Sequence, residues 1–171
     1  MKTTFKLVAF LLTITLLSCN ANLNLNDGVE GSGNVITEKR TINESFDKIS
    51  ASTGVTVIVE QGSPNDVEVE TDDNLMQYVI TKVENGTLIV KIEGNINTMS
   101  SIDVRVRMSS IVGLESTSGS RITSKNTLKG STIAVKSSSG SEIDAVLEYE
   151  NVSCESSSGS NITVAGKALK L

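Results

Sequence analysis

The chain contains no tryptophan and no histidine, and its aromatic residues are three phenylalanines and two tyrosines in 171 residues. A conventional globular core takes much of its buried area from aromatic side chains, so their scarcity predicts a core of Val, Ile and Leu in repeated layers. The absence of histidine removes the usual general base of serine hydrolases and a common zinc ligand. A single proline, Pro64, leaves the backbone free to pair as strands almost everywhere else.

Positive charge is also scarce. Fifteen Lys and Arg residues stand against 20 Asp and Glu, a net charge of −5, and removal of a leader that carries Lys2 and Lys6 would leave 13 against 20. Nucleic-acid binding needs a basic footprint, so no nucleic-acid partner is expected. The length suits one domain once a targeting segment has been removed.

A five-residue phrase returns three times in the second half of the chain. It reads Ser-Thr/Ser-Ser-Gly-Ser, and its glycines, Gly119, Gly140 and Gly159, lie 21 and then 19 residues apart. Two alternating apolar positions precede each phrase, and an isoleucine follows three residues after each glycine. A period near 20 with strand-type alternation is typical of repeat architectures. The pattern predicts an all-β fold in which short rungs stack as the coils of a β-solenoid.

Stacking of the rungs would align equivalent side chains in columns. Leu114, Val135 and Cys154 occupy one such slot, which predicts that Cys154 is a buried small apolar residue rather than a reactive thiol. The glycine of each phrase is expected at a corner with positive φ. The serines are expected to bond nearby backbone and to form polar ladders.

Strands are predicted in the front half wherever apolar and polar residues alternate. Val55–Glu60 and Val67–Glu70 lie on either side of a turn around Pro64, which predicts a hairpin or two successive solenoid strands. Asn85-Gly86 is typical of a type I′ turn and predicts an antiparallel hairpin. The other predicted elements are a strand at Val35–Ile42, apolar anchors at Phe46 and Ile49, a helical turn at Leu75–Tyr78 and a strand at Ile102–Met108.

The first 18 residues have the pattern of a secretory leader. Leu7–Leu17 is almost wholly apolar but too short to span a bilayer as a helix, and Ser18-Cys19 follows it. This ending resembles the bacterial lipobox, which implies cleavage before Cys19 and lipid attachment to that residue, with the membrane as a partner. Cys154 would then have no disulfide partner.

The predicted organisation is a signal peptide at 1–18, a lipidated cysteine and flexible tether at 19–33, and a β-solenoid domain at 34–171. Asn at position 20, in place of Asp, favours the outer over the inner membrane. Leu169 and Leu171 repeat the lead-in to a serine rung that does not follow. This end is interpreted as an unusual cap or a shortened form, with an exposed edge through which the domain self-associates.

Candidate chemistry is limited, and no catalytic residue, cofactor or metal is predicted. A serine nucleophile would need Lys125, Lys129 or Lys136 as its base, whereas repetition of the serines on every rung favours a structural role. The acids of the rungs, Glu142 and Asp144, are expected on opposite strand faces, which disfavours a carbohydrate-active enzyme. The calcium candidates, which are more readily explained as a solvated strand face, are Glu68, Glu70 and Asp72.

Three features together resemble the bacterial family called putative auto-transporter adhesin, head GIN domain. They are the lipobox, the strand block that holds Phe46, Ile49 and Val55–Val57, and the Ser-Gly-Ser rungs. Family members usually carry Gly-Ser-Gly-Asp rungs and continue for one or two more. The resemblance implies a right-handed parallel β-helix-like fold in an envelope-attached protein and brings no catalytic residues.

The function favoured by the sequence is a non-catalytic adhesion or interaction module of the bacterial envelope that binds a glycan or a protein. A periplasm-facing structural or sensory scaffold is the alternative, and a carbohydrate-active β-helix enzyme is a minor one. Ser118, Ser139 and Ser158 form the aligned set expected to line one face, and they are the ligand-binding candidates.

Overall fold

The computed structural model describes residues 28–98 and 101–170. The predicted signal peptide, Cys19 and the first part of the predicted tether lie outside these described residues. Among the described residues, regular structure consists of strands and one 3-10 turn, and no helix has the length and apolar character needed to cross a membrane. The strands are β1 Val29–Glu30, β2 Val35–Lys39, β3 Lys48–Ala51, β4 Thr56–Gln61, β5 Asp66–Asp72, β6 Val79–Glu84, β7 Thr87–Ile92, β8 Ile96–Thr98, β9 Asp103–Met108, β10 Gly113–Ser116, β11 Arg121–Ser124, β12 Leu128–Ser137, β13 Glu142–Ser156 and β14 Asn161–Lys170.

Twelve strands form one mixed, curled sheet, and eleven of them follow a single path. Along that path the order is β2-β5-β9-β4-β11-β13-β12-β10-β3-β7-β6, and β14 pairs with β13 beside it. β1 and β8 form a separate parallel pair. The predicted helical turn is present at Met76–Tyr78. The predicted all-β class is therefore confirmed, with almost no helix.

The second half of the chain, β10–β14, pairs in parallel and in register. β10 and β12 place Leu114 opposite Val135, β12 and β13 place Val135 opposite Cys154, and β13 and β14 place Ile143 opposite Ile162. The repeats therefore align as their apolar pattern predicted. We call residues 113–170 the repeat half.

The front half, residues 28–108, contains the antiparallel pairs. β6 and β7 form the predicted hairpin, in which Asn85 and Gly86 have φ of 51° and 74°. β4 and β5 were expected to be a hairpin or successive coils, and that prediction is wrong. β9 lies between them, parallel to β4 and antiparallel to β5. Opposite charges favour the pairing of β9 with β5, because Arg105 faces Glu68 and Arg107 faces Asp66 across these two strands.

A short segment ahead of β2 is attached to the domain by hydrogen bonds. Val29–Glu30 falls within the predicted tether, and it pairs with β8 as β1. Ser32 Oγ donates to Asp73 Oδ1 at 2.5 Å, and Asn74 Nδ2 donates to the Glu30 carbonyl at 2.8 Å. The bonds from Ser32 and Asn34 lower the pKa of the Asp73 carboxyl, so it remains an ionised acceptor at neutral pH.

One cluster of buried apolar side chains runs through both halves and consists mainly of Val, Ile and Leu. Phe46 and Ile49 are buried in it, as predicted. The burial predicted for Cys154 is wrong, because its side chain is exposed. Cys154 lies in the column of Val135, but β13 pairs with β12 on one side there, and no strand of the described chain covers the other side. The covered side still desolvates the thiol enough to raise its pKa.

Candidate interaction site

Four turns of the same shape lie in one column on the surface. In each, a hydroxyl residue and the following glycine both have positive φ, as in a type I′ turn. The values are 53° and 72° at Ser118-Gly119, 54° and 71° at Ser139-Gly140, 52° and 72° at Ser158-Gly159, and 62° and 73° at Thr53-Gly54. We call residues 52–54, 117–119, 138–140 and 157–159 the hydroxyl ridge.

Backbone hydrogen bonds join each turn of the ridge to the next. The Gly54 N–H donates to the Ser118 carbonyl, the Gly119 N–H to the Ser139 carbonyl, and the Gly140 N–H to the Ser158 carbonyl, each at 3.1 Å. Successive turns are therefore spaced like neighbouring strands, about 4.8 Å apart. The positive φ predicted for the repeat glycines is confirmed.

The turn at Thr53-Gly54 was missed by sequence reasoning. It belongs to the front half, and its fifth position is Val55 where the repeats have serine, so it does not read as Ser-Gly-Ser. β3 and β4, which flank it, pair in register with β10 and β11. The sequence signal for this turn is a pair of hydroxyl residues before a glycine, with alternating valines after it.

The last serine of each phrase has a structural role beneath its turn. Ser120 Oγ lies 2.8 Å from the Ala51 carbonyl, Ser141 Oγ 2.6 Å from the Ser116 carbonyl, and Ser160 Oγ 2.7 Å from the Ser137 carbonyl. Each bond joins one rung to the rung before it. These hydroxyls are therefore committed to the fold, which agrees with the predicted serine ladders.

The hydroxyls of Ser118, Ser139 and Ser158 have a different environment. All three residues are exposed, and the stacked turns bring them to one edge as the sequence predicted. The ridge holds only Ser, Thr and Gly, in a protein of which 20% of the residues are charged. It is therefore an uncharged row of hydroxyls along the surface.

The ridge keeps hydroxyl residues where another side chain suits the backbone better. Non-glycine residues are uncommon at positive φ, Asn is enriched there, and a β-branched residue such as Thr53 is an outlier. The chain uses Asn85 at its off-ridge type I′ turn, yet at none of the four ridge turns. Conformational strain that is retained at a surface points to a function for the residues that bear it.

A second surface feature lies on the outer face of β4, β5, β9 and β11. It is a groove of about 360 Å³. Glu60 accepts Lys125 Nζ at 2.7 Å and lies 3.5 Å from Arg107 Nε, and Glu70 faces Arg105 Nη1 at 3.0 Å. The hydrogen bond from Lys125, with the nearby Arg107, lowers the pKa of the Glu60 carboxyl. The sequence showed alternating charges here but not which strands meet.

The carboxylates named as calcium candidates do not form a metal site. Glu68 and Glu70 lie on the outer face of β5, but Glu70 is engaged by Arg105, and Asp72 is buried at the end of the strand. Across residues 28–98 and 101–170, no three acids or cysteines form a group that could hold a metal ion.

The lysines considered as bases for a serine are engaged elsewhere. Lys125 Nζ pairs with Glu60 at 2.7 Å, and Lys129 and Lys136 pair with acids of β13 at 2.7 and 3.3 Å. The expectation that Glu142 and Asp144 lie on opposite faces is wrong. Both point outward around buried Ile143, because residues two apart in a strand share a face.

Comparison with solved structures shows the same fold in proteins of Parabacteroides and Bacteroides. A putative adhesin from Parabacteroides merdae is 23% identical with a TM-score of 0.72, and the match covers 81% of this chain and 59% of that one. A putative adhesin from Bacteroides fragilis is 18% identical with a TM-score of 0.75, covering 82% and 66%. A putative lipid binding protein from Parabacteroides distasonis is 17% identical with a TM-score of 0.65, covering 82% and 70%.

The chain therefore spans about three fifths of the length of the Parabacteroides merdae protein. Comparison with curated proteins finds no match. These three structures are described as two adhesins and a lipid binding protein. The family described as putative auto-transporter adhesin, head GIN domain, matches residues 45–171, and the chain belongs to that family.

Proposed function

We propose that the domain is a non-catalytic adhesion or interaction module of the bacterial cell envelope, and that it contacts its ligand through the hydroxyl ridge. The observation that carries this proposal is the retention of Thr53, Ser118, Ser139 and Ser158 at positive φ. The family description and the adhesin descriptions of two similar structures support the functional class. A glycan or a protein with a flat, polar surface is the ligand we expect.

We propose further that the ridge is built on a right-handed parallel β-solenoid formed by the rungs. This solenoid is supported by strand pairs that are parallel, in register and offset by about one repeat. The pairs are β10–β12, β12–β13 and β13–β14. The ridge would then be one corner of the stacked coil. Each added rung would lengthen the ligand surface by one strand spacing.

The envelope location follows from the predicted lipid on Cys19. Several acyl chains on one residue anchor a protein firmly, whereas one chain alone binds marginally. The outer membrane is favoured by Asn20, which stands where Asp would retain a lipoprotein at the inner membrane. Mass spectrometry of the mature N-terminus tests the anchor, and an unmodified Cys19 in the mature protein would contradict it.

The ridge is tested by replacing Ser118, Ser139 and Ser158 together with Asn. Asn suits positive φ better than Ser, so the melting temperature should stay the same or rise, while the hydroxyl row is lost. Binding of the protein to panels of immobilised glycans and host matrix proteins should weaken at least about tenfold. The control is replacement of exposed Ser109, Ser131 and Ser153 by Asn, which should leave binding unchanged. Equal binding by both variants would contradict the ridge.

Exposure at the cell surface is a separate test. Intact cells are treated with a protease that does not cross the outer membrane, and the protein is followed by immunoblot, with lysed cells as the control. Loss of the protein from intact cells supports an adhesin. Survival on intact cells with cleavage after lysis supports a periplasm-facing structural or sensory scaffold instead.

We also propose that a second copy of the domain is a partner, and that the two copies associate through the C-terminal edge. β14 pairs with β13 along one side, no described strand pairs along its other side, and Leu169 is 88% exposed. Val164 is a second exposed apolar residue of β14. Sedimentation over a range of concentrations should show a dimer that Val164→Lys weakens. A monomer at all concentrations would contradict it.

A further inference from the structure

The groove on the outer face has an apolar floor inside a charged rim. Ile58 is the one apolar residue among the exposed and half-buried positions of β4, β5, β9 and β11. Its neighbours across the strands are Arg105 of β9 and Thr123 of β11. Because Ile58 is shorter than the charged side chains around it, a depression forms at its position. An apolar floor with a few placed polar groups is the usual composition of a small-ligand site.

Part of the rim is fixed by ion pairs within the protein. Arg105 Nη1 and Nη2 donate to the two carboxylate oxygens of Glu70 at 3.0 and 3.3 Å. Glu60 is held between Lys125 and Arg107 Nε. These contacts reduce the side-chain freedom that a ligand would have to remove on binding.

Two groups of the rim remain available. The Glu68 carboxylate lies across the strands from Arg105 but makes no side-chain hydrogen bond and no ion pair within the described part of the chain. Arg107 contacts Glu60 through Nε, and no described hydrogen bond involves its terminal NH₂ groups. An ionised Glu68 only accepts hydrogen bonds, and the Arg107 guanidinium only donates them. The groove therefore offers a free acceptor and a free donor beside an apolar patch.

The charges of the rim disfavour a charged ligand. Glu60, Asp66 and Glu68 are matched in number by Arg105, Arg107 and Lys125. An anion or a cation entering the groove would therefore meet as many like charges as opposite ones. A neutral ligand avoids that repulsion. If it has a C–H face and hydroxyl groups, the C–H face fits the apolar floor, and the hydroxyl groups fit the acceptor and the donor.

We propose that this groove binds a neutral hexose unit of a glycan, with its C–H face on Ile58, a hydroxyl hydrogen donated to Glu68 and a hydroxyl oxygen accepting from Arg107. The site is separate from the hydroxyl ridge. It therefore goes beyond the function proposed above, and neither depends on the other.

The test is a titration of the full chain, isotopically labelled and held in detergent, followed by backbone amide NMR shifts. The probes are the methyl glycosides of glucose, galactose and mannose, with glucuronate and glucosamine as charged counterparts. At least one neutral glycoside should shift the amides of β4, β5 and β9. The two charged sugars should bind more weakly than the best neutral one.

Three variants connect the binding to the groove. Glu68→Gln keeps the size of the side chain but replaces one acceptor oxygen with a donor, and it should weaken the best neutral sugar about tenfold. Ile58→Thr keeps a β-branched residue but removes most of the floor, and it should weaken binding to a similar extent. The matched control is Glu115→Gln, an exposed acid of β10 outside the groove, which should bind like the parent.

The outcomes separate this site from the ridge. Replacement of Ser118, Ser139 and Ser158 by Asn should leave sugar binding at the groove unchanged. The proposal is overturned if none of the three neutral glycosides shifts the groove amides. It is also overturned if a charged sugar binds more tightly, or if Glu68→Gln and Glu115→Gln bind alike.

Discussion

The repeat half and the front half build one sheet by different means. In the repeat half, each strand pairs with the strand one turn of the repeat away, as when Ser137 lies opposite Ser156. In the front half, β4 skips β5 and pairs in parallel with β9, which places Thr56 opposite Asp103. Equal spacing of apolar slots makes the partner of a repeat strand evident. Alternation alone does not choose a partner, because every half-buried strand shows it.

The two halves nevertheless share their interior and one surface. Buried side chains of both belong to a single cluster. The ridge also crosses the boundary, because the Gly54 N–H of the front half bonds the Ser118 carbonyl of the repeat half. The difference between the halves is thus one of strand pairing, and the following changes test how far it extends to stability.

The largest effect should come from truncating one core leucine in each half. Leu88 of β7 and Leu128 of β12 are both fully buried. Leu88→Ala and Leu128→Ala should each lower the free energy of unfolding by about 3 kcal/mol, through lost burial and the cavity that remains. Because the core is shared, calorimetry should show one transition in both variants. Two transitions, each shifted by only one variant, would mean that the halves unfold separately.

Replacement of the glycine at the second turn position should reduce stability equally in both halves. Gly140 of the ridge and Gly86 of the hairpin have φ of 71° and 74°, and a side chain at either meets open space or ordinary contact. Gly140→Val and Gly86→Val should each destabilise by about 2 kcal/mol, because a β-branched residue is strained there. Denaturant unfolding measures both, and a Gly140→Val protein that melts like the parent would refute the corner assignment.

The buried serine hydroxyls should contribute to stability only in the repeat half. Ser141→Val would leave the Ser116 carbonyl and the Ser138 N–H without the hydroxyl that bonds them. The free energy of unfolding should fall by about 1 to 2 kcal/mol. Val55 fills the equivalent place in the front half without a hydroxyl. Exposed Ser153→Val is the control, and an equal loss there would show that the ladder contributes nothing specific.

The smallest change at neutral pH is expected at Tyr149 of β13, which bonds Ile111 between the front half and the repeat half. Tyr149 is buried and its hydroxyl donates to the Ile111 carbonyl at 2.7 Å. Burial raises the pKa of Tyr149 to about 12. A raised pKa stabilises the folded protein fully below the unfolded value near 10, and that contribution is lost as the pH rises toward 12.

Unfolding measured from pH 9 to 12 should therefore show a decline in stability that Tyr149→Phe makes shallower. At neutral pH the same variant should lose about 1 kcal/mol, for the missing hydrogen bond. If the parent and the variant declined alike with pH, titration of Tyr149 would not be the cause.

The sequence alone determined the local features of this protein. The recurring Ser-Gly-Ser phrase, with apolar slots at fixed distance, was enough to predict stacked strands, positive φ at the glycines and an exposed row at Ser118, Ser139 and Ser158. The dipeptide Asn85-Gly86 was enough for the hairpin. Each of these follows from the backbone preferences of a few adjacent residues or from a short repeat.

Only the tertiary structure decided the features that depend on residues far apart in the chain. The position of β9 between β4 and β5, the alignment of Thr53-Gly54 with the ridge, and the groove over Ile58 each require strands to meet that lie more than 30 residues apart in the chain. The exposure of Cys154 depends on whether a further strand covers its column. Such contacts are fixed by the packing of the whole core and by cross-strand charge, neither of which a local pattern encodes.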